Sequence, residues 1–232
     1  MPFWLLSLPS LVSLDLSSNL LAGSLDSLTQ LSGLAQLALD DNRFSAWLSP
    51  EVAAALSSLD YFSASGNQLY GTIPEELFSA PCNLQVLDLS RNALSGTLPP
   101  VIDRCLYLRL LQLSRNFMTG SVPASLAYLP ILERLFLGMN KLQGSLPSGL
   151  ASASFQPYLQ ILDLQSNGLN GTIPALTSAS LVSVVLANNQ LVGSFPSLVL
   201  QAQDRIAHSF AESDSSFVVN VDVSNNLLSG MI

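Results

Sequence analysis

The sequence predicts an α/β repeat: a curved solenoid with a parallel concave β-sheet, short second β-strands beside it, and 3-10 or irregular returns on the convex side. Three observations predict it. Nine asparagines, Asn19, Asn42, Asn67, Asn92, Asn116, Asn140, Asn167, Asn189 and Asn226, follow one another at intervals of 23, 25, 25, 24, 24, 27, 22 and 37 residues. An apolar frame is locked to each of them. A Gly-x-apolar-Pro phrase follows most of them. A fixed period of this length marks a solenoid in which each unit packs mainly on its neighbours.

The first element of each repeat is a strand. Leucine-type residues stand eight, five and three positions before the Asn and two after it, as in Leu84, Leu87, Leu89 and Leu94 around Asn92. The pair at five and three alternates as a strand does, so the residues between them face the other way. Stacked repeats bury one side of each such strand, and no repeat buries it alone. The second element is the Asn, placed where the chain leaves the strand. Its amide donates and accepts, so it satisfies turn groups that would otherwise be buried unpaired. This predicts a structural ladder through all nine asparagines. The third element is the phrase seen in Gly71-Thr-Ile-Pro74, Gly120-Ser-Val-Pro123, Gly144-Ser-Leu-Pro147, Gly171-Thr-Ile-Pro174 and Gly193-Ser-Phe-Pro196. Gly opens backbone angles closed to other residues, and Pro ends hydrogen bonding on its side. We read it as a tight turn, then a short second strand, then the start of a helical return. Residues 1–232 thus form a single solenoid of about nine repeats. The long last interval holds an insertion at 197–217, in the return before the last repeat.

The full pattern, LxxLxxLxLxxNxLxGxIP, resembles the plant-type leucine-rich repeat over about residues 8–232. The Gly-x-Ile-Pro half distinguishes this subclass from other leucine-rich repeats. The resemblance implies a curved leucine-rich-repeat solenoid with its strand face concave. It implies a binding module and no catalysis in the repeats. The family includes ectodomains of receptor-like kinases and receptor-like proteins, and secreted inhibitors of cell-wall-degrading enzymes. It implies a protein or peptide ligand, a co-receptor, and a place at the cell surface, anchored to the plasma membrane through a parent protein. An inhibitor-like secreted protein is the alternative, and a structural ice- or wall-binding repeat a third. The Cys-bearing caps that usually flank such arrays are missing from the pattern, so the reading includes an internal portion of a longer protein.

Composition excludes other classes. Only 10% of residues are charged, well under the usual quarter or so, and the net charge of −8 lacks the basic stripe nucleic acid requires. Apolar runs are broken every few residues, short of the ~18 needed for a membrane span. His208 is the single histidine and Lys141 the single lysine. No Walker loop, Gly-x-Ser-x-Gly elbow or zinc-type spacing appears, so neither an enzyme nor a metal or cofactor site is expected. Cys82 and Cys105 precede adjacent strands at nearly the same station, offset by one residue. They read mainly as small buried hydrophobes, with a disulfide left open. Asn170-Gly-Thr172 is the only Asn-x-Ser/Thr sequon, expected as an exposed glycosylation turn.

The frame also predicts the concave surface: residues six, four, two and one before each Asn. Its ends are small, polar or acidic. Repeats 4 to 7 gather Val86, Asp88, Arg91, Leu110, Arg115, Arg134, Phe136, Met139, Ile161 and Asp163. Three of the eight basic residues meet there, and Arg with aromatic and Met side chains is the composition of binding hot spots. The frame stacks Arg91 on Arg115 and leaves Asp88 as a local partner for Arg91.

Overall fold

Every repeat contributes three residues to one nine-stranded parallel sheet: Ser13–Asp15, Gln36–Ala38, Tyr61–Ser63, Val86–Asp88, Leu110–Gln112, Arg134–Phe136, Ile161–Asp163, Ser183–Val185 and Asn220–Asp222, in chain order. The computed structural model describes residues 10–31, 33–196 and 220–230. The insertion expected at 197–217, with His208, lies outside the described residues. Register repeats without slip, so Leu87, Leu111, Leu135 and Leu162 are direct partners along the sheet. All four are fully buried. A one-residue slip would turn them to solvent, which is why the period of two within each strand holds the stack in register.

The asparagine ladder does more than close its own turns. Asn116 accepts from Leu94 N–H of the preceding repeat at 2.9 Å and donates to Leu89 O of that repeat and to its own Leu113 O, at 2.9 and 3.1 Å. The same triple connection recurs at Asn42, Asn67, Asn92, Asn140, Asn167, Asn189 and Asn226. Asn19, in the first repeat, donates to its own Leu16 and Ser17 carbonyls among the described residues. The ladder is therefore an inter-repeat clamp.

The residue before each Asn adopts a left-handed backbone in all nine repeats, with φ between 49° at Asp41 and 64° at Gly66. Such angles are uncommon outside Gly, Asn and Asp. Here Ser, Arg and Met hold them too, because the Asn clamp over-determines the turn. The second strand lies one station earlier than the sequence suggests. In repeats 4, 7 and 8 it begins just after the Asn and takes in the Gly, as at Ala93–Gly96 and Gly168–Thr172, and in the others it covers part of that span. These lateral strands form ladders of two, three and four, joined by backbone bonds such as Tyr70 N–H to Ala46 O at 3.0 Å and Gln143 N–H to Gly120 O at 2.8 Å.

The convex returns include 3-10 turns at Asp26–Gln30, Glu75–Phe78, Pro100–Arg104 and Ala124–Tyr128. One departs from the expected 3-10 or irregular type: Pro50–Leu56 is a true α-helix. Ser49 caps it by accepting Val52 N–H at 3.3 Å, and Pro50 opens it, an arrangement that suits a helix start. The alanine run behind it favours propagation. The cysteines also correct the reading: Cys82 and Cys105 are joined in a disulfide, with Cα atoms 4.7 Å apart. Both lie in returns, where strand register does not apply, so the one-residue offset is no obstacle.

Candidate functional site

Strand register lays the sequence-predicted residues in three rows. Val86, Leu110, Arg134 and Ile161 are consecutive partners, as are Asp88, Gln112, Phe136 and Asp163. Arg91, Arg115 and Met139 follow one another at the left-handed position. Val86, Leu110, Phe136 and Ile161 are half-buried, whereas Arg91, Arg115, Arg134 and Met139 stand exposed. The position two before the Asn does not project as expected. Ser90 and Ala187 are 4% and 2% exposed, and a Cβ on Gly138 would press on the Asp163 carboxylate at 2.8 Å. At these three repeats the position forms the floor of the face, whereas Asp40, Ser65, Ser114 and Gln165 are half-buried and Ser224 is exposed.

The ionic arrangement differs from the sequence reading. Arg91 pairs with Asp41 at 3.2 Å, two repeats away, and not with Asp88. It reaches across repeat 3 because Gly66 stands between them: a Cβ there would collide with Asp41 Oδ1 and lie 3.4 Å from the guanidinium carbon of Arg91. Arg91 therefore leans toward the acidic end of the array. Arg115 and Arg134 form no ion pair among the described residues. Arg109 and Glu133 pair beside the face.

The aspartates of the middle row have a structural duty that the sequence reading missed. Asp15, Asp88, Asp163 and Asp222 each accept the backbone N–H two residues on, at 2.9 to 3.1 Å, the Asx-turn geometry. The signal was present as Asp-x-Ser or Asp-x-Gln after each strand core. Burial raises the Asp88 carboxyl above the ordinary carboxylate value, the Ser90 bonds pull the other way, and Asp40 adds to the rise. Asp15 and Asp222, at the ends, are lowered mainly by hydrogen bonds from Ser17 and Ser224. Between Asp88 and Asp163 the row changes to Gln112 and Phe136. The buried Gln112 Oε1 and Ser114 Oγ have no hydrogen-bond partner there.

Asn170, the sequon residue, is exposed as expected. It sits in a lateral strand, paired with Ser145 and Gln190, and not in a turn. That lateral face has rows of its own. The fifth residue after the Asn is Ser24, Thr72, Thr97, Ser121, Ser145, Thr172 and Ser194 in seven repeats, all exposed, and Trp47 in repeat 2. All but Ser24 lie against the glycine of the following repeat: a Cβ on Gly96 would lie 2.7 Å from Thr72 Cγ2, and one on Gly120 as close to Thr97 Cγ2. The sequence reading followed only the concave rows and missed this regularity.

A leucine-rich-repeat family model matches residues 82–142, and a second one residues 158–178. No curated protein matches the sequence significantly. Among solved structures, the chain is similar to the Arabidopsis receptor kinase HAESA in complex with the peptide hormone IDA and the co-receptor SERK1, with 30% identity and a TM-score of 0.81 over 96% of this chain and 35% of that one. It is similar to the plant peptide hormone receptor RGFR1 in complex with RGF2, with 28% identity and a TM-score of 0.84 over 100% of this chain and 35% of that one. A plant ice-binding protein is 28% identical with a TM-score of 0.79, covering 100% of this chain and 69% of that one. The chain spans about a third of the length of the two receptors. Repeat phrase, register and relatives agree: the chain is a leucine-rich-repeat protein of the plant type.

Proposed function

We propose that this chain is a recognition module that binds a peptide or protein on the concave face of repeats 4 to 7, as part of a receptor-like ectodomain outside the cell. The single observation that carries the reading is Arg115 and Arg134, exposed cations without an acidic partner among the described residues, flanking half-buried Phe136 and exposed Met139. A ligand carboxylate would meet guanidinium groups with no competing acidic partner among the described residues, and Phe136 would supply apolar anchoring. The similar receptors bind peptide hormones, by their own descriptions, which supports the class of ligand. A disulfide and a sequon on an exposed strand suit an extracellular setting. The reading assigns no catalysis to the repeats.

The test is calorimetry of the chain against acidic and neutral synthetic peptides. An acidic peptide should bind, and both Arg115→Glu and Phe136→Ala should weaken it at least about tenfold. Unchanged affinity in both variants sinks the proposal.

One observation favours a second reading, contact with an extended surface of ice or wall material. The likeness to a plant ice-binding protein meets the Ser and Thr row of the lateral face, which is uniform where the concave rows are mixed. Ice-recrystallisation inhibition lost on Thr97→Arg, or wall retention lost on the same change, would support it. Neither effect would remove it.

A further inference from the structure

Resting on the second reading above, we propose that the lateral face binds a neutral polysaccharide, laid across repeats 2 to 6 and seated on Trp47 and Tyr70. The two rings stand on adjacent rungs, joined by a parallel bridge. They are 49% and 51% exposed, a large apolar outlay on a sheet face that nothing among the described residues covers. Trp47 is held in place, since a Cβ on Gly71 would collide with its indole. A ring fixed before the ligand arrives costs little entropy on binding. The C–H face of a pyranose stacks on such a ring, much as other apolar faces do.

The rest of the face suits the hydroxyl groups of the same ligand. No Asp, Glu, Lys or Arg stands at the third or fifth position after any of the nine asparagines. Those positions carry hydroxyls and amides instead, among them Ser95, Thr97, Thr119 and Gln143, which donate and accept. At the first position the face carries two cations, Arg43 and Lys141, the latter over the Phe117 ring, so it is sparsely charged and suits a neutral polymer better than a dense polyanion. Rungs repeat every ~4.8 Å, about the length of one sugar in an extended chain, so successive sugars meet successive repeats. Ice is the poorer match. Tyr70 and Gln143 rise above Ser95 in the same row, so the face is stepped, whereas a crystal plane needs a flat one.

The test is affinity electrophoresis of the full chain through gels holding xyloglucan, mixed-linkage β-glucan or polygalacturonate, with cello-oligosaccharide titration of tryptophan fluorescence. Retardation by a neutral glycan is expected. Trp47→Ala and Tyr70→Ala should weaken it at least about tenfold, Trp47→Phe should keep most of it, and Arg115→Glu should leave it unchanged. Thermal melts of each variant separate lost binding from lost folding. Retardation by polygalacturonate alone, or neutral-glycan binding that survives both alanine variants, overturns the proposal. Ice-recrystallisation inhibition without glycan binding overturns it too, yet leaves the surface-contact reading standing. Absence of both activities overturns both.

Discussion

The concave and lateral faces are cut from the same nine repeats, a few residues apart in each, yet their rows obey different limits. On the concave face the position four before the Asn alternates between a structural and a free role. Asp15, Asp88, Asp163 and Asp222 cap the turn after their strand. Ala38, Ser63, Gln112, Phe136 and Val185 do not, and of these Gln112 and Phe136 stand between Arg115 and Arg134, which form no ion pair among the described residues. What marks the candidate site is the pairing of Gln112 and Phe136 with those exposed arginines, since the cap is missing in repeats 2, 3 and 8 as well. On the lateral face the fifth position must fit over the glycine of the next repeat, so small hydroxyl residues recur and sequence variety is squeezed out. Trp47 is the departure there. Its indole lies over Gly71 of the next repeat, the same seat the small residues take over Gly96 and Gly120, so the departure is one of size.

The comparison breaks most completely at Asn116, which binds both faces. Its Oδ1 accepts from the lateral strand and its amide donates to carbonyls beside the concave one. Asn116→Ala strands several buried groups at 1–3 kcal/mol each, so a loss of about 3 kcal/mol is expected in urea denaturation. Peptide and glycan binding should fall together in this variant. A loss confined to one face would show that the faces are not coupled through the ladder.

The disulfide lies behind both faces and sharpens the comparison differently. Removing it by Cys82→Ser with Cys105→Ser frees a loop whose ends are 23 residues apart, expected to cost about 2–3 kcal/mol. Both binding activities should persist below the melting temperature. If peptide affinity drops while the fold holds, repeats 4 and 5 depend on the bridge for their alignment.

The smallest effect isolates the concave middle. Asp88 and Asp222 occupy one row and make the same turn, but burial raises one carboxyl while hydrogen bonding lowers the other. For Asp88 the folded-state value lies above the unfolded one. Its ionisation therefore costs stability as pH rises from the ordinary carboxylate value through the raised one, and the full cost remains above that. Asp222 has the opposite sign: its contribution is present above the ordinary value and fades as pH falls through the lowered one. Asp88→Asn keeps an acceptor for Ser90 N–H and should raise stability slightly at neutral pH, with no gain below the ordinary carboxylate range. Asp222→Asn should not stabilise at any pH. Thermal melts across pH 3 to 7 read both, and equal slopes for the two variants would contradict the assignment.

Periodicity alone determined the architecture, the strand centres, the core leucines and the facing of most concave positions. A repeat of this length has one way to bury its apolar side, against a copy of itself. Ten candidate residues could be gathered on one face from counting alone for the same reason. What counting could not reach depends on distances between repeats. Arg91 chose Asp41 over Asp88 because Gly66 left an opening two rungs wide. The cysteines met because returns are free of strand register. The lateral rows became visible only once the second strand was seen to start at the Asn and to include the Gly. Within-repeat pattern sets which way a side chain points. Only the stacked structure decides what it meets, because its neighbours lie about two dozen residues away along the chain.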